Sequence, residues 1–189
     1  MKKVLVLFVL AFVLSVSRLQ PVLGLDSTDS ANTNRNSEIQ KRIEETKEIR
    51  EQRQEEFQLR LQEIKDTRKQ KIVANLGLSY VNINNRWTTH FINVLERLTK
   101  ILDKVGIKAE EQQNSEALNS INNIYRQIDE VKTAVKEQAL KTYTIEITGE
   151  DKLGEAAKAV HSQLRNDLQV LREQIKEIRE SIRAVIQTL

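Results

Sequence analysis

Residues 164–189 read LRNDLQVLREQIKEIRESIRAVIQTL, and this stretch decides the fold class. Leu164, Leu168, Leu171, Ile175, Ile178, Ile182, Val185 and Leu189 follow one another at alternating steps of four and three. That rhythm places every apolar side chain on one seam of an α-helix and leaves the charged residues between them to water. Leu153, Ala157 and Val160 continue the stripe upstream. The spacing predicts a helix over 150–189, roughly 40 residues and ~60 Å long.

Working toward the N-terminus, residues 142–148 (TYTIEIT) break the pattern. Tyr143, Ile145 and Ile147 alternate with Thr144, Glu146 and Thr148, which predicts a short extended segment at 143–148 with one apolar face. Before it, Leu118, Ile121, Ile124, Ile128, Val131, Val135 and Ala139 mark a second helix over 116–142, with Ser115 as its expected cap. Gly106 is expected to end the preceding helix, with a polar loop over 108–114. That helix, 76–105, carries Leu76, Tyr80, Ile83, Trp87, Phe91, Val94, Leu98, Ile101 and Val105 at spacings of three and four. Residues 78–83 (LSYVNI) also have strand-like composition, but the helical phase runs through them, and Gly77 is a candidate kink.

Short connections make successive helices antiparallel neighbours. The expected architecture is therefore all-α: an antiparallel long-helix bundle or coiled coil over 76–189, built from three helices. A charged helical arm over 37–75 precedes it, with Ser37 and Gln40 as a capping box. The arm's stripe is thin, namely Ile39, Ile43, Phe57, Leu61, Ile64 and Ile72. Such an arm either continues the first bundle helix outward or folds back near Gly77 as a fourth helix. On these boundaries the third helix outlasts the second, and residues 178–189 require a covering partner.

The first residues read as an address. Lys2 and Lys3 precede a continuous apolar run at 4–16 broken only by Ser15, and Pro21 and Val22-Leu23-Gly24 follow. A run of about 13 residues is too short for a bilayer core of ~30 Å, so residues 1–24 are expected to be a secretory signal peptide. The rival is an uncleaved signal anchor, the only membrane attachment the sequence offers. Residues 25–36 (LDSTDSANTNRN) are small and polar, and are expected to form a disordered tether.

Composition agrees with long helices. Aromatic residues make up 4% and charged residues 30%, with one proline, which is too few turn formers and aromatics for a sheet protein. The formal charge of +3 rests on Lys2, Lys3 and Arg18 in the leader, and the remainder is near neutral. Nucleic acid is therefore not an expected partner. The chain has no cysteine, so disulfides and thiolate metal sites are excluded.

No catalytic, cofactor-binding or metal-binding residues are assigned, and neither a cofactor nor a small-molecule substrate is expected. His90 and His161 are the only histidines, and neither has the glutamate three residues earlier that a di-iron helix pair uses. Nucleophile elbows and phosphate-cradling glycine loops are missing from the sequence. Trp87, His90 and Arg86 could form a ligand cluster. The plainer reading makes Trp87 a core anchor with the other two at its rim, so that truncating it costs roughly 3–5 kcal/mol. The expected structural anchors are Trp87, Phe91, Leu98, Leu164, Leu171 and Ile178.

Two stretches carry a resemblance. Residues 84–105 (NNRWTTHFINVLERLTKILDKV) and 141–186, opening KTYTIEITGEDKLG, resemble an uncharacterised family of exported coiled-coil proteins from bacteria of the candidate phyla radiation. The resemblance implies export and a helical body, and no activity. The expected function is that of a non-enzymatic structural or interaction protein outside the cytoplasm, a helical spacer or adaptor working through a protein partner or self-association. The alternative is a holdase-like periplasmic chaperone with coiled-coil arms. Peripheral membrane binding is not expected, because no helix shows a clearly basic face in the sequence.

Overall fold

The computed structural model describes residues 28–189, so the expected signal peptide lies outside the described residues. Four helices follow in order: α1 (Thr28–Leu61), α2 (Thr67–Glu111), α3 (Ser115–Leu140) and α4 (Leu153–Gln187). The described residues are all-α, and the helices pack as a bundle. Residues 28–38 belong to a separate N-terminal unit, and 39–189 form one compact unit.

Helix α1 begins at Thr28, where the sequence reading has an unstructured tether and a cap at Ser37. Residues 28–36 contain neither proline nor glycine, and extending a nucleated helix costs little per residue. The arm then folds back. The reversal occupies residues 62–66, well before Gly77, and is closed by tight backbone hydrogen bonds such as Gln62 N–H to the Leu59 carbonyl at 3.1 Å. Asp66 starts α2 by accepting from the N–H groups of Arg68 (2.8 Å) and Lys69 (3.2 Å). The expected boundary at residue 75 therefore falls inside a continuous helix.

Gly77 serves close approach and produces no break. A Cβ built there would lie 3.0 Å from the Phe57 ring, so the missing side chain lets Phe57 of α1 sit down on α2. Phe57, Leu61 and Ile64 are buried. The thin stripe of the arm thus suffices for its last turns.

Helix α2 runs 45 residues, ~67 Å. It passes through Gly106 without ending, because nothing at that position demands a turn. The reversal comes at residues 112–114. Gln113 takes φ 53°, and Asn114 N–H reaches back to the Ala109 carbonyl at 2.9 Å, a Schellman-type closure. Asn114, and not Ser115, caps α3 by accepting from Ala117 N–H at 3.0 Å.

Helices α2, α3 and α4 pack against one another. The extra length of α2 covers the far end of α4, so residues 178–189 do not overhang. Gln112 Nε2 donates to the Leu189 carbonyl at 2.9 Å, which ties that end to the α2–α3 turn. At the other end α3 stops at Leu140 and an extended segment takes its place. Tyr143, Ile145 and Ile147 are buried while Glu146 and Thr148 are exposed. The segment pairs as no strand among the described residues. It fills the bundle economically, since ten extended residues cover ~33 Å where ten helical ones cover ~15 Å. It ends at Glu150, whose carboxylate accepts from the N–H groups of Lys65 (2.6 Å) and Asp66 (3.2 Å) at the α1–α2 turn. Those two backbone hydrogen bonds hold the Glu150 pKa below its ordinary value, with Lys69 nearby assisting.

Candidate functional site

The buried seam of α2 is Val73, Tyr80, Asn84, Thr88, Phe91, Leu95, Leu98, Leu102, Val105 and Ala109. Between Tyr80 and Phe91 it passes through two polar residues. Their polarity is satisfied inside the protein. Asn84 Nδ2 donates to the Gln138 carbonyl at 2.9 Å, and Gln138 Nε2 returns a bond to Asn84 Oδ1 at 3.0 Å. Gln138 also donates to the Tyr143 hydroxyl at 2.5 Å, which in turn donates to Asp167 Oδ2 at 2.7 Å. Lys141 Nζ reaches the same carboxylate oxygen at 3.0 Å. Thr88 returns its hydroxyl to the Asn84 carbonyl at 2.9 Å.

This network joins α2, α3, the extended segment and α4 at the level where α3 gives way. Burial, then the hydrogen bond to Asp167, drives the Tyr143 pKa far above the ordinary phenol value, against a smaller lowering by Gln138. Tyr143 therefore stays a neutral hydrogen-bond donor at physiological pH. A buried polar set with every member paired fixes helix register.

Because the polar pair takes the seam, Trp87 does not. It is 37% exposed, and Ile83 one turn earlier is 38% exposed. The expected core role of Trp87 is thus corrected: its indole stands at the mouth of a groove between α2 and α4. The other five expected anchors, Phe91, Leu98, Leu164, Leu171 and Ile178, are buried.

The groove has a volume of about 410 Å³. Ile83, Trp87 and Phe91 form one wall, Leu164 and Leu168 line it from α4, and His161, Arg165, Gln169, Arg172 and Glu173 complete the lining. His90 meets the Trp87 ring nearly edge-on at 85°, with centroids 5.7 Å apart, and Phe91 lies 5.5 Å from Trp87. Of the candidate cluster only Trp87 lines the groove; His90 and Arg86 do not. His161 faces Tyr80 across the α2–α4 seam at 6.3 Å.

Among the described residues no three acidic or histidine side chains are grouped to hold a metal, and no helix is long and apolar enough to cross a membrane. The groove can bind by apolar contact and by positive charge, and it presents no paired nucleophile and base. Comparison with protein-family models, curated proteins and solved structures finds no match to the chain.

Sequence reasoning missed the groove and the network together. The signal lay in the phase: counting back from Leu102, Leu98, Leu95 and Phe91 in steps of three and four lands on Thr88, Asn84 and Tyr80. Two polar residues at those slots diverted the reading to the neighbouring apolar track of Ile83 and Trp87.

Proposed function

We propose that the protein is a non-enzymatic interaction protein, a helical spacer or adaptor that acts outside the cytoplasm. The observation that carries this reading is the long α2 rod with its buried polar groups spent on one another. The Asn84–Gln138–Tyr143–Asp167 chain pairs inward and aims no reactive atom at the open groove. Acid–base catalysis requires perturbed groups facing a sheltered pocket. The placement outside the cytoplasm rests on the leader sequence, Lys2-Lys3 and the apolar run after it.

The chaperone alternative draws less support. A holdase of that type would use the extended segment to seed an oligomerising sheet, and here Tyr143, Ile145 and Ile147 are committed to the bundle. The test has two arms. Immunoblotting of fractionated cells should find the protein outside the cytoplasm with its first segment removed, and cross-linking there should join it to a defined partner. Recovery in the cytosol with Met1 intact would contradict the placement. Suppression of aggregation of an unfolded membrane protein at stoichiometric concentration would favour the chaperone.

A further inference from the structure

The charge around the bundle is sorted by seam. Along α4, from Val160 to Val185, the exposed residues that follow the seam positions are His161, Arg165, Gln169, Arg172, Lys176, Arg179, Arg183 and Ile186. Along α2, the flank on the same side carries Arg97, Lys104 and Lys108 among the exposed apolar residues Ile83, Trp87 and Ile101. One acid, Glu173, lies in the groove lining among these bases. The opposite flanks, turned toward α3, reverse the sign: Glu96, Asp103 and Glu110 on α2, Asp167 and Glu177 on α4, with no base. Their orientation is fixed by contacts, since Asp103 accepts from Tyr125 of α3 at 2.5 Å and Asp167 meets Lys141 and Tyr143. Of the basic residues on the α2–α4 side, Lys176 has Glu173 at 3.5 Å and Arg183 has Glu180 at 2.9 Å. Arg97, Arg165, Arg172 and Arg179 have no ion-pair partner among the described residues. Helix α4 is mixed in composition, and most of its bases fall on one flank.

The α2–α4 side thus carries an excess of positive charge along a groove with one apolar wall, Ile83, Trp87 and Phe91. From Ile83 to Lys108 it extends ~38 Å along α2. We propose that this seam binds an amphipathic helix from another protein, one whose apolar stripe is edged by aspartate and glutamate. The helix would lie in the α2–α4 groove with its apolar side chains on Trp87, Ile83 and Ile101 and its acids on the arginines. This is the helix-in-groove mode of recognition, with charge setting direction and partner choice.

Three other occupants fit less well. A second copy docked by the same seam would set arginines against arginines. A second copy docked by its acidic side offers too little to fill the groove, since no large apolar residue of α3 is exposed. An anionic bilayer has no ridge to enter a concave groove between two helices. The inference deepens the adaptor reading and rests on it for biological meaning, while the binding chemistry is testable alone.

The chain has one tryptophan, so Trp87 reports on its own groove. The probe is a designed 25-residue helical peptide with a leucine/isoleucine stripe flanked by glutamate; a second peptide has lysine in place of each glutamate. Full-length mature protein is titrated with each, and with vesicles of phosphatidylglycerol and phosphatidylcholine. The glutamate peptide should bind saturably with a blue shift of Trp87 emission, and the lysine peptide should not. The triple variant R165E/R172E/R179E, with a helical spectrum unchanged, should weaken the glutamate peptide by roughly tenfold or more and admit the lysine peptide. Trp87→Phe silences the reporter, and calorimetry on that variant should recover binding to the glutamate peptide. Equal binding of both peptides, no binding of either, or a blue shift with vesicles alone would overturn the proposal. Self-association at the titration concentration, abolished by the triple variant, would transfer the seam to a second copy and overturn it as well. Peptide binding by a protein that fractionates with the cytosol would uphold the groove while contradicting the proposed location.

Discussion

Helix α4 and the middle of α2 carry the same three–four rhythm, yet the rhythm locates the core in one and misplaces it in the other. In α4 the seam from Leu164 to Val185 is apolar at every buried position and polar at its flanks, Val170, Ala184 and Ile186 excepted. In α2 between residues 80 and 91 the buried slots hold Asn84 and Thr88 while Ile83 and Trp87 stand partly in water. Hydrophobic periodicity finds the buried face only where burial and apolarity coincide. Where a hydrogen-bonded pair takes the interior, the apolar residues next to it mark a binding edge.

The largest expected effect sharpens this contrast at its legible end. Ile178 is 2% exposed, and Ile178→Asp should cost at least about 4 kcal/mol by burying an unpaired charge. Gln187→Asp, at the exposed end of the same helix, should stay within about 0.5 kcal/mol. Urea midpoints followed by circular dichroism check both, and equal losses would refute the seam of α4.

Asn84→Ala comes next. It leaves the Gln138 amide short of a partner in the interior, and should cost about 2–3 kcal/mol. Trp87→Ala should cost less, about 1 kcal/mol, because a large part of the ring never left water, well under the cost of truncating a buried aromatic. A ranking with Trp87 above Asn84 would return the tryptophan to the core and break the comparison.

A fourth expectation turns on the tyrosines. Burial raises the Tyr80 pKa, and burial with the Asp103 carboxylate raises Tyr125 to about 12. Tyr143 is raised further by burial and Asp167. Each folded pKa lies above its unfolded value of 10.0. The stability these hydroxyls contribute is therefore full below pH 10 and is lost as pH climbs through the folded values. Phenolate absorbance of the native protein should lag behind that of the urea-unfolded chain on alkaline titration, and Tyr143→Phe should leave the early part of the curve unchanged. Phenolate forming at the same pH in both states would contradict the network.

Much of the fold was legible because it follows local rules. The apolar seam of α4, the Ile121–Val135 stripe of α3 and the alternation at Tyr143, Ile145 and Ile147 all reach their buried places in the structure. Turns were less legible. Gly106 looks like a stop and is not, while Gln113 adopts a left-handed backbone that its residue type does not advertise. The fold-back at residues 62–66 was left open, because nothing in the sequence around Asp66 shows that Glu150, far along the chain, will satisfy its backbone. The groove was illegible for a related reason. Its basic rim is visible only once the buried seam is known, since α4 as a whole mixes Glu173, Glu177 and Glu180 with the arginines.

Trp87 stands at the mouth of the α2–α4 groove while Asn84 and Thr88 hold the seam behind it. Quenching of Trp87 fluorescence in the native protein tests this arrangement. The structure predicts emission to the red of a fully buried indole and ready quenching by iodide. Caesium should quench far less, because the arginine rim gathers anions and repels cations, and added salt should narrow the difference. A blue emission resistant to both ions would place Trp87 in the core and remove it from the groove.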